Sequence, residues 1–92
     1  MVSWQCPKEI ERILKALANK RRLAIVRYLK LKGTASVGNI AKEIKLSFKA
    51  TSKHLGVLSS AGIVDREQRS LQMFYHLSSD LPAPARSVIS LL

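Results

Sequence analysis

The spacing of apolar residues changes character along this chain. From Pro7 to Leu17, the positions Ile10, Ile13, Leu14 and Leu17 recur at helical intervals and share one face of an amphipathic helix. Pro7 suits the first helical position, where its missing N–H costs nothing, and Glu9 meets the positive end of the helix dipole. Asn19 can cap a second helix, KRRLAIVRYLKLK, which stops at Gly33. Its apolar residues spread around much of the wheel, predicting a helix through the centre of the domain that touches several neighbours. Ser36 can cap a short third helix whose buried stripe is Val37, Ile40, Ala41 and Ile44. Lys45 to Ser47 then separate it from a fourth helix, for which Ser47 is the cap. Two short helices joined by a tight turn make a helix-turn-helix pattern over residues 36–61.

Beyond Gly62 the period becomes two. IVDREQ and QMFYHL read as strands of a hairpin over residues 63–77, joined around Arg69, Ser70 and Leu71, with Met73, Tyr75 and Leu77 on one face. The absence of glycine at the hairpin tip predicts a longer or irregular connection rather than a tight primed turn. Pro82 and Pro84 break the chain before ARSVISLL, a short last helix within residues 84–92. Its Val88, Ile89, Leu91 and Leu92 are too apolar to leave in water and call for a subunit contact. The predicted fold class is mainly α with a small β-hairpin, in a single domain over residues 1–92 without repeats or linkers.

Ninety-two residues build one small core, which gains stability from pairing with a second copy. A homodimer through residues 7–18 and 84–92 is the expectation. Charge narrows the partner. Sixteen Lys and Arg against six Asp and Glu leave a net +10, and Arg12 to Lys53 holds twelve basic residues with Glu43 as the single acid. Such a half-domain favours a polyanion. A membrane partner is not expected. No apolar run approaches the roughly 18–20 residues of a spanning helix, and MVSWQCPKEIER has no apolar signal core. The lone Cys6 cannot form an internal disulfide, in keeping with a reducing, cytoplasmic setting. It is either an inert thiol near the terminus or an oxidant sensor at a helix N-terminus.

Residues 47–61 placed around a helical wheel separate into two arcs. Ala50, Thr51, His54, Leu55, Val57, Leu58 and Ala61 lie on one, and Phe48, Lys49, Ser52, Lys53, Gly56, Ser59 and Ser60 on the other. The second arc carries donors, small residues and no acids, which suits a helix laid in the major groove of DNA between phosphates. Taken alone it also fits plain solvent exposure. Phe48, odd on a polar arc, either meets a thymine methyl or lies on Leu46 and the backbone. His54, amid apolar neighbours, reads as a packed, hydrogen-bonded histidine. With no Ser, His and carboxylate set, no glycine-rich phosphate loop and no His-Glu-x-x-His, an enzyme is not expected.

LSFKATSKHLGVLSSAGIV resembles the recognition-helix segment of ArsR/SmtB-type winged-helix repressors, with Ser47, Ser52, His54, Leu55, Leu58, Ala61 and Gly62 matching. LKALANKRRLAIVRYL is similar to the family's upstream segment, with Asn19 and Arg22 at matching positions, and Tyr75 to Leu77 fit the second wing strand. The resemblance implies a dimeric winged helix-turn-helix DNA-binding regulator. It also brings departures. Where the family's metal sensors carry a Cys-x-Cys segment, this chain has Ser36 and Gly38, and nothing after Asp80 bears a carboxylate side chain or an imidazole. No metal and no cofactor are therefore expected, and the signal is left to a small-molecule or protein effector. Where the family has Gly-Arg at the wing tip, Ser70 and Leu71 stand.

The expected function is a sequence-specific regulator of double-stranded DNA, in the sense of a repressor. Phe48, Lys49, Ser52, Lys53 and Gly56 face the groove, Ser47, Lys42 and Lys45 flank the turn, and Arg66 and Arg69 serve the wing. Arg22, beside the cap, is expected to be partly structural. A winged-helix module for an acidic protein partner and a nonspecific nucleic-acid compaction protein remain the alternatives.

Overall fold

The computed structural model describes residues 6–92; the absence of a signal core was read partly from residues 1–5, which lie outside the described residues. Five helices and three strands follow in the order α1 (Pro7–Leu17), α2 (Lys20–Lys32), β1 (Thr34–Ser36), α3 (Val37–Ile44), α4 (Phe48–Ser60), β2 (Val64–Arg69), β3 (Gln72–Leu77) and α5 (Ala83–Ile89). The caps are those the polar residues promise. Asn19 accepts from the N–H groups of Arg21 and Arg22, Ser36 from Asn39, and Ser47 from Ala50. Each satisfies donors that a helix start otherwise leaves orphaned.

Helix α2 does run through the middle. Its Ile25, Val26 and Leu29 are buried and touch α1, α3, α4 and the sheet, where Ile40, Leu55, Leu58, Ile63 and Val64 complete the fully buried core. Gly62 turns the chain out of α4 at a φ of +76°, and the Ile63 N–H returns to the Leu58 carbonyl at 3.0 Å, a glycine C-terminal stop.

Two sequence expectations need correction. The sheet has three antiparallel strands in the order β1-β3-β2, not two: Thr34, Ala35 and Ser36 pair with His76, Tyr75 and Phe74. A three-residue Thr-Ala-Ser run has too little pattern to read as a strand, and what makes it one is the free edge of β3. The hairpin turn is tight, since Arg69 pairs directly with Gln72 across Ser70 and Leu71. Ser70 takes a φ of +58° while Leu71 stays negative, the sign pattern of a type II′ turn with serine doing what glycine usually does. The apolar face of α1 splits. Ile13, Ala16 and Leu17 are buried, whereas Leu14 remains 46% exposed and lines a shallow apolar cleft of about 450 Å³ with Pro7, Ile10 and Ala18. At the other end Ile89 is buried within its own subunit and Val88 is partly so, leaving Leu91, 84% exposed, as the residue most in need of cover.

Candidate nucleic-acid interface

The turn between α3 and α4 positions the candidate surface. Lys45 ends α3 in the left-handed region at φ 58° and ψ 48°, and its N–H and that of Leu46 both return to the Ala41 carbonyl. Glycine is the usual occupant of such a site because an L side chain costs about 1–2 kcal/mol there. Leu46 and Ser47 then lead into α4, whose first turn is held twice by Ser47: its hydroxyl accepts from Ala50 at 3.1 Å and its carbonyl accepts from the Thr51 hydroxyl at 2.9 Å. Thr51 can thereby be fully buried with Leu55 and Leu58.

With that face anchored, the opposite one is fixed in direction. Phe48, Lys49, Lys53 and Gly56 are exposed, and Ser52 is half-buried among them; Lys42, Lys45 and Ser47 are exposed around the turn. These eight predicted residues therefore gather on one region formed by α3, the turn and α4. Phe48 is 63% exposed and is not among the hydrophobic residues packed on the core. Gly56 has nothing within 4 Å of where a Cβ would sit, so packing within the subunit does not demand glycine.

The wing divides its two arginines. Arg66 pairs opposite the buried Tyr75 and so points to the core side of the sheet, whereas Arg69 points to the other side, where its guanidinium bonds Glu67 at 3.0 Å and lies 5.0 Å over the Phe74 ring. The two do not line a common surface, and Asp65 and Glu67 balance them in charge. Leu71 stands at the tip, 96% exposed.

Three of the basic residues that gave the chain its one-sided charge are otherwise engaged. Arg12 donates to the Ser60 carbonyl at the end of α4, Arg22 to the Ala16 and Lys15 carbonyls at the end of α1 (2.6 and 3.1 Å), and Lys30 to the Ile89 carbonyl at the end of α5 (3.0 Å). Each places a cation on the negative end of a helix dipole; the Ile89 carbonyl also accepts from the Leu92 N–H at 3.0 Å. The structural part expected of Arg22 is thus found; Arg12 and Lys30 were not foreseen. Their carbonyls lie 48 and 59 residues away, beyond any local spacing rule.

Arg22 also meets His54, its Nη1 lying 3.3 Å from Nδ1. Guanidinium has only donors, so Nδ1 accepts and the imidazole is neutral with its proton on Nε2. Burial lowers the His54 pKa below its ordinary value, and the positive charges of Arg22, Arg21 and Lys53 act in the same direction.

A family described as a helix-turn-helix domain matches residues 17–67. The structure of reduced HlyU from Vibrio cholerae superposes with a TM-score of 0.78 at 36% identity, covering 92% of this chain and 85% of that one. The chain belongs to the ArsR family of winged helix-turn-helix regulators. The transcriptional activator HlyU of V. cholerae is 42% identical over 67 residues, covering 73% of this chain and 61% of that protein. The Biofilm growth-associated repressor of Agrobacterium fabrum is 37% identical over 75 residues, covering 82% and 63%. The chain thus spans about three fifths of the length of these two curated relatives. A homodimeric winged helix-turn-helix DNA-binding domain from Mycobacterium bovis, described as a possible ArsR-family regulator, superposes with a TM-score of 0.78 at 27% identity, covering 91% of this chain and 74% of that one.

At the ArsR metal-sensor positions, the Ser36 hydroxyl serves as the α3 cap and Gly38 offers no side chain. Among the described residues no three His, Cys, Asp or Glu side chains gather as a metal site, and no helix is long and apolar enough to cross a membrane. Cys6 is exposed at the start of α1 and makes no side-chain cap bond.

Two outcomes follow from this geometry. Because the lowered pKa of His54 means that the unfolded chain binds the extra proton first, stability is full above about pH 6.5 and falls as pH drops through the lower folded value. Urea unfolding across pH 5–8 checks this, and His54→Gln should flatten that part of the profile. In the same assay, Gly56→Ala should stabilise the fold by about 0.8–1 kcal/mol, the ordinary helical gain, since there is room for the methyl.

Proposed function

We propose that the chain is a homodimeric, sequence-specific regulator of double-stranded DNA that acts in the cytoplasm as a repressor, with α4 in the major groove. One observation carries the reading. The outward face of α4 and its preceding turn bring Lys42, Lys45, Lys49 and Lys53 together with Phe48 and Gly56, while Glu43 is the single acid on α3 and α4. Lys42, Lys45, Lys49 and Lys53 answer phosphates; Ser47 and Ser52 donate from the first turns of α4; Gly56 allows the groove wall to come close. On the wing, Arg66 is the better phosphate contact, since Arg69 must first leave Glu67 and Phe74. The A. fabrum relative is named a repressor and the V. cholerae relative an activator, so their names do not decide the direction of control.

Dimerisation is assigned to the uncovered apolar face of α1, with Pro7, Ile10 and Leu14, together with Leu91 beyond α5; α1 and α5 are packed side by side. The homodimeric state of the M. bovis domain supports pairing of two copies. Two copies related by a twofold axis place their α4 helices in successive major grooves, about 34 Å apart along the duplex. No residue set singles out an effector.

The test is competition of a palindrome selected from random duplexes against bulk DNA near physiological salt. A preference of about a thousandfold or more supports the regulator. Weak uniform binding would make it a compaction protein, and no binding a protein-interaction module. Lys49 and Lys53 should each contribute about 0.9 to the slope of log K against log salt per protomer, so replacing both by Ala flattens the slope of the bound dimer by about 3.6. An unchanged slope removes them from the interface.

A further inference from the structure

Phe48 is the residue that folding leaves unexplained. It opens α4, its ring is 63% exposed, and it takes no part in the core, although covering an aromatic side chain would stabilise by about 1.5–3 kcal/mol. The backbone that carries it is fixed, because Ser47 holds the first turn of the helix through Ala50 and Thr51. On the same turn and helix, Lys45, Lys49 and Lys53 are exposed, as is Lys42 near the end of α3. A concavity of about 290 Å³ lies between the ring and the wing tip, lined also by Ser36, Val37, Gly38, Leu71, Gln72 and Met73. The occupant that matches this surface must be polyanionic and yet present a small apolar group at the depth of a helix N-terminus. In the major groove of DNA one base carries such a group, the C5-methyl of thymine.

We propose that Phe48 is the specificity-determining residue of α4 and reads a thymine methyl in each half-site by apolar contact. The inference rests on the DNA-binding reading above and goes beyond it by naming the base. The lysines around the ring fasten phosphates whatever the sequence, so the preference for A·T at one position per half-site comes from the ring. Losing one methyl from an apolar contact corresponds to about fourfold in affinity, and losing two in a palindrome to about fifteenfold.

The experiment takes the site selected from random duplexes and replaces its thymines by deoxyuridine, one symmetric pair at a time. This removes the methyl and leaves every hydrogen-bonding group in place. Binding of the full chain is followed by fluorescence anisotropy at fixed salt. One pair of positions is expected to lose about fifteenfold on replacement. With Phe48→Ala the thymine and deoxyuridine duplexes should bind alike, whereas Leu71→Ala should preserve the difference. Thermal melting of Phe48→Ala should match the parent, since the ring is outside the core. Tolerance of deoxyuridine at every position, or a penalty that persists undiminished in Phe48→Ala, would overturn the proposal while leaving the regulator reading intact. A selection that returns no preferred site would overturn both.

Discussion

Burial of Thr51, Leu55 and Leu58 is the interaction on which the rest of the molecule depends. These residues press one face of α4 into the core made by α2 and α3, and they leave the opposite face no freedom of direction. Truncating a buried leucine of this kind costs about 2–5 kcal/mol. A domain of this size has only about 5–15 kcal/mol in total, so the seat of α4 is a large share of its stability. The buried hydroxyl of Thr51 is affordable only because the Ser47 carbonyl accepts it, which ties the core contact to the cap that begins the helix. Seat, cap and outward face are thus one construction.

Charge in this protein has two separate uses. Arg12, Arg22 and Lys30 close the carbonyl ends of α4, α1 and α5, and in doing so stitch together elements far apart in sequence. Arg22 adds His54, so the C-terminal end of α1 and the middle of α4 share one hydrogen-bonded knot. The exposed lysines of α3 and α4 remain available to a polyanion. The wing is balanced in charge: its arginines face opposite ways, its acids match them, and its tip is a leucine. Net charge alone overstates the binding surface, because cations consumed by helix ends are no longer presented to a partner.

Much of this was legible without coordinates. Cap residues, helical periods and the change to alternation located every helix and the hairpin, because each is a local property: a polar side chain reaching an N–H two or three residues on, or a face repeating every three or four. The wheel of residues 47–61 separated the buried Thr51, Leu55 and Leu58 from the exposed Phe48, Lys49 and Lys53 for the same reason. The tight turn at Ser70 and Leu71 escaped because serine adopts the left-handed backbone only where the pairing of the strands on both sides requires it.

What the sequence by itself determined is the set of elements, their order, the bearing of α4 and the membership of the ArsR family implied by its motifs. Only the tertiary structure decided which cations are free, that Thr34 to Ser36 form a strand, that Leu14 stays uncovered, and that Phe48 stands away from the core. Those outcomes depend on partners dozens of residues away. The free edge of β3, the end of α5 and the split face of α1 exist only once the chain has closed on itself.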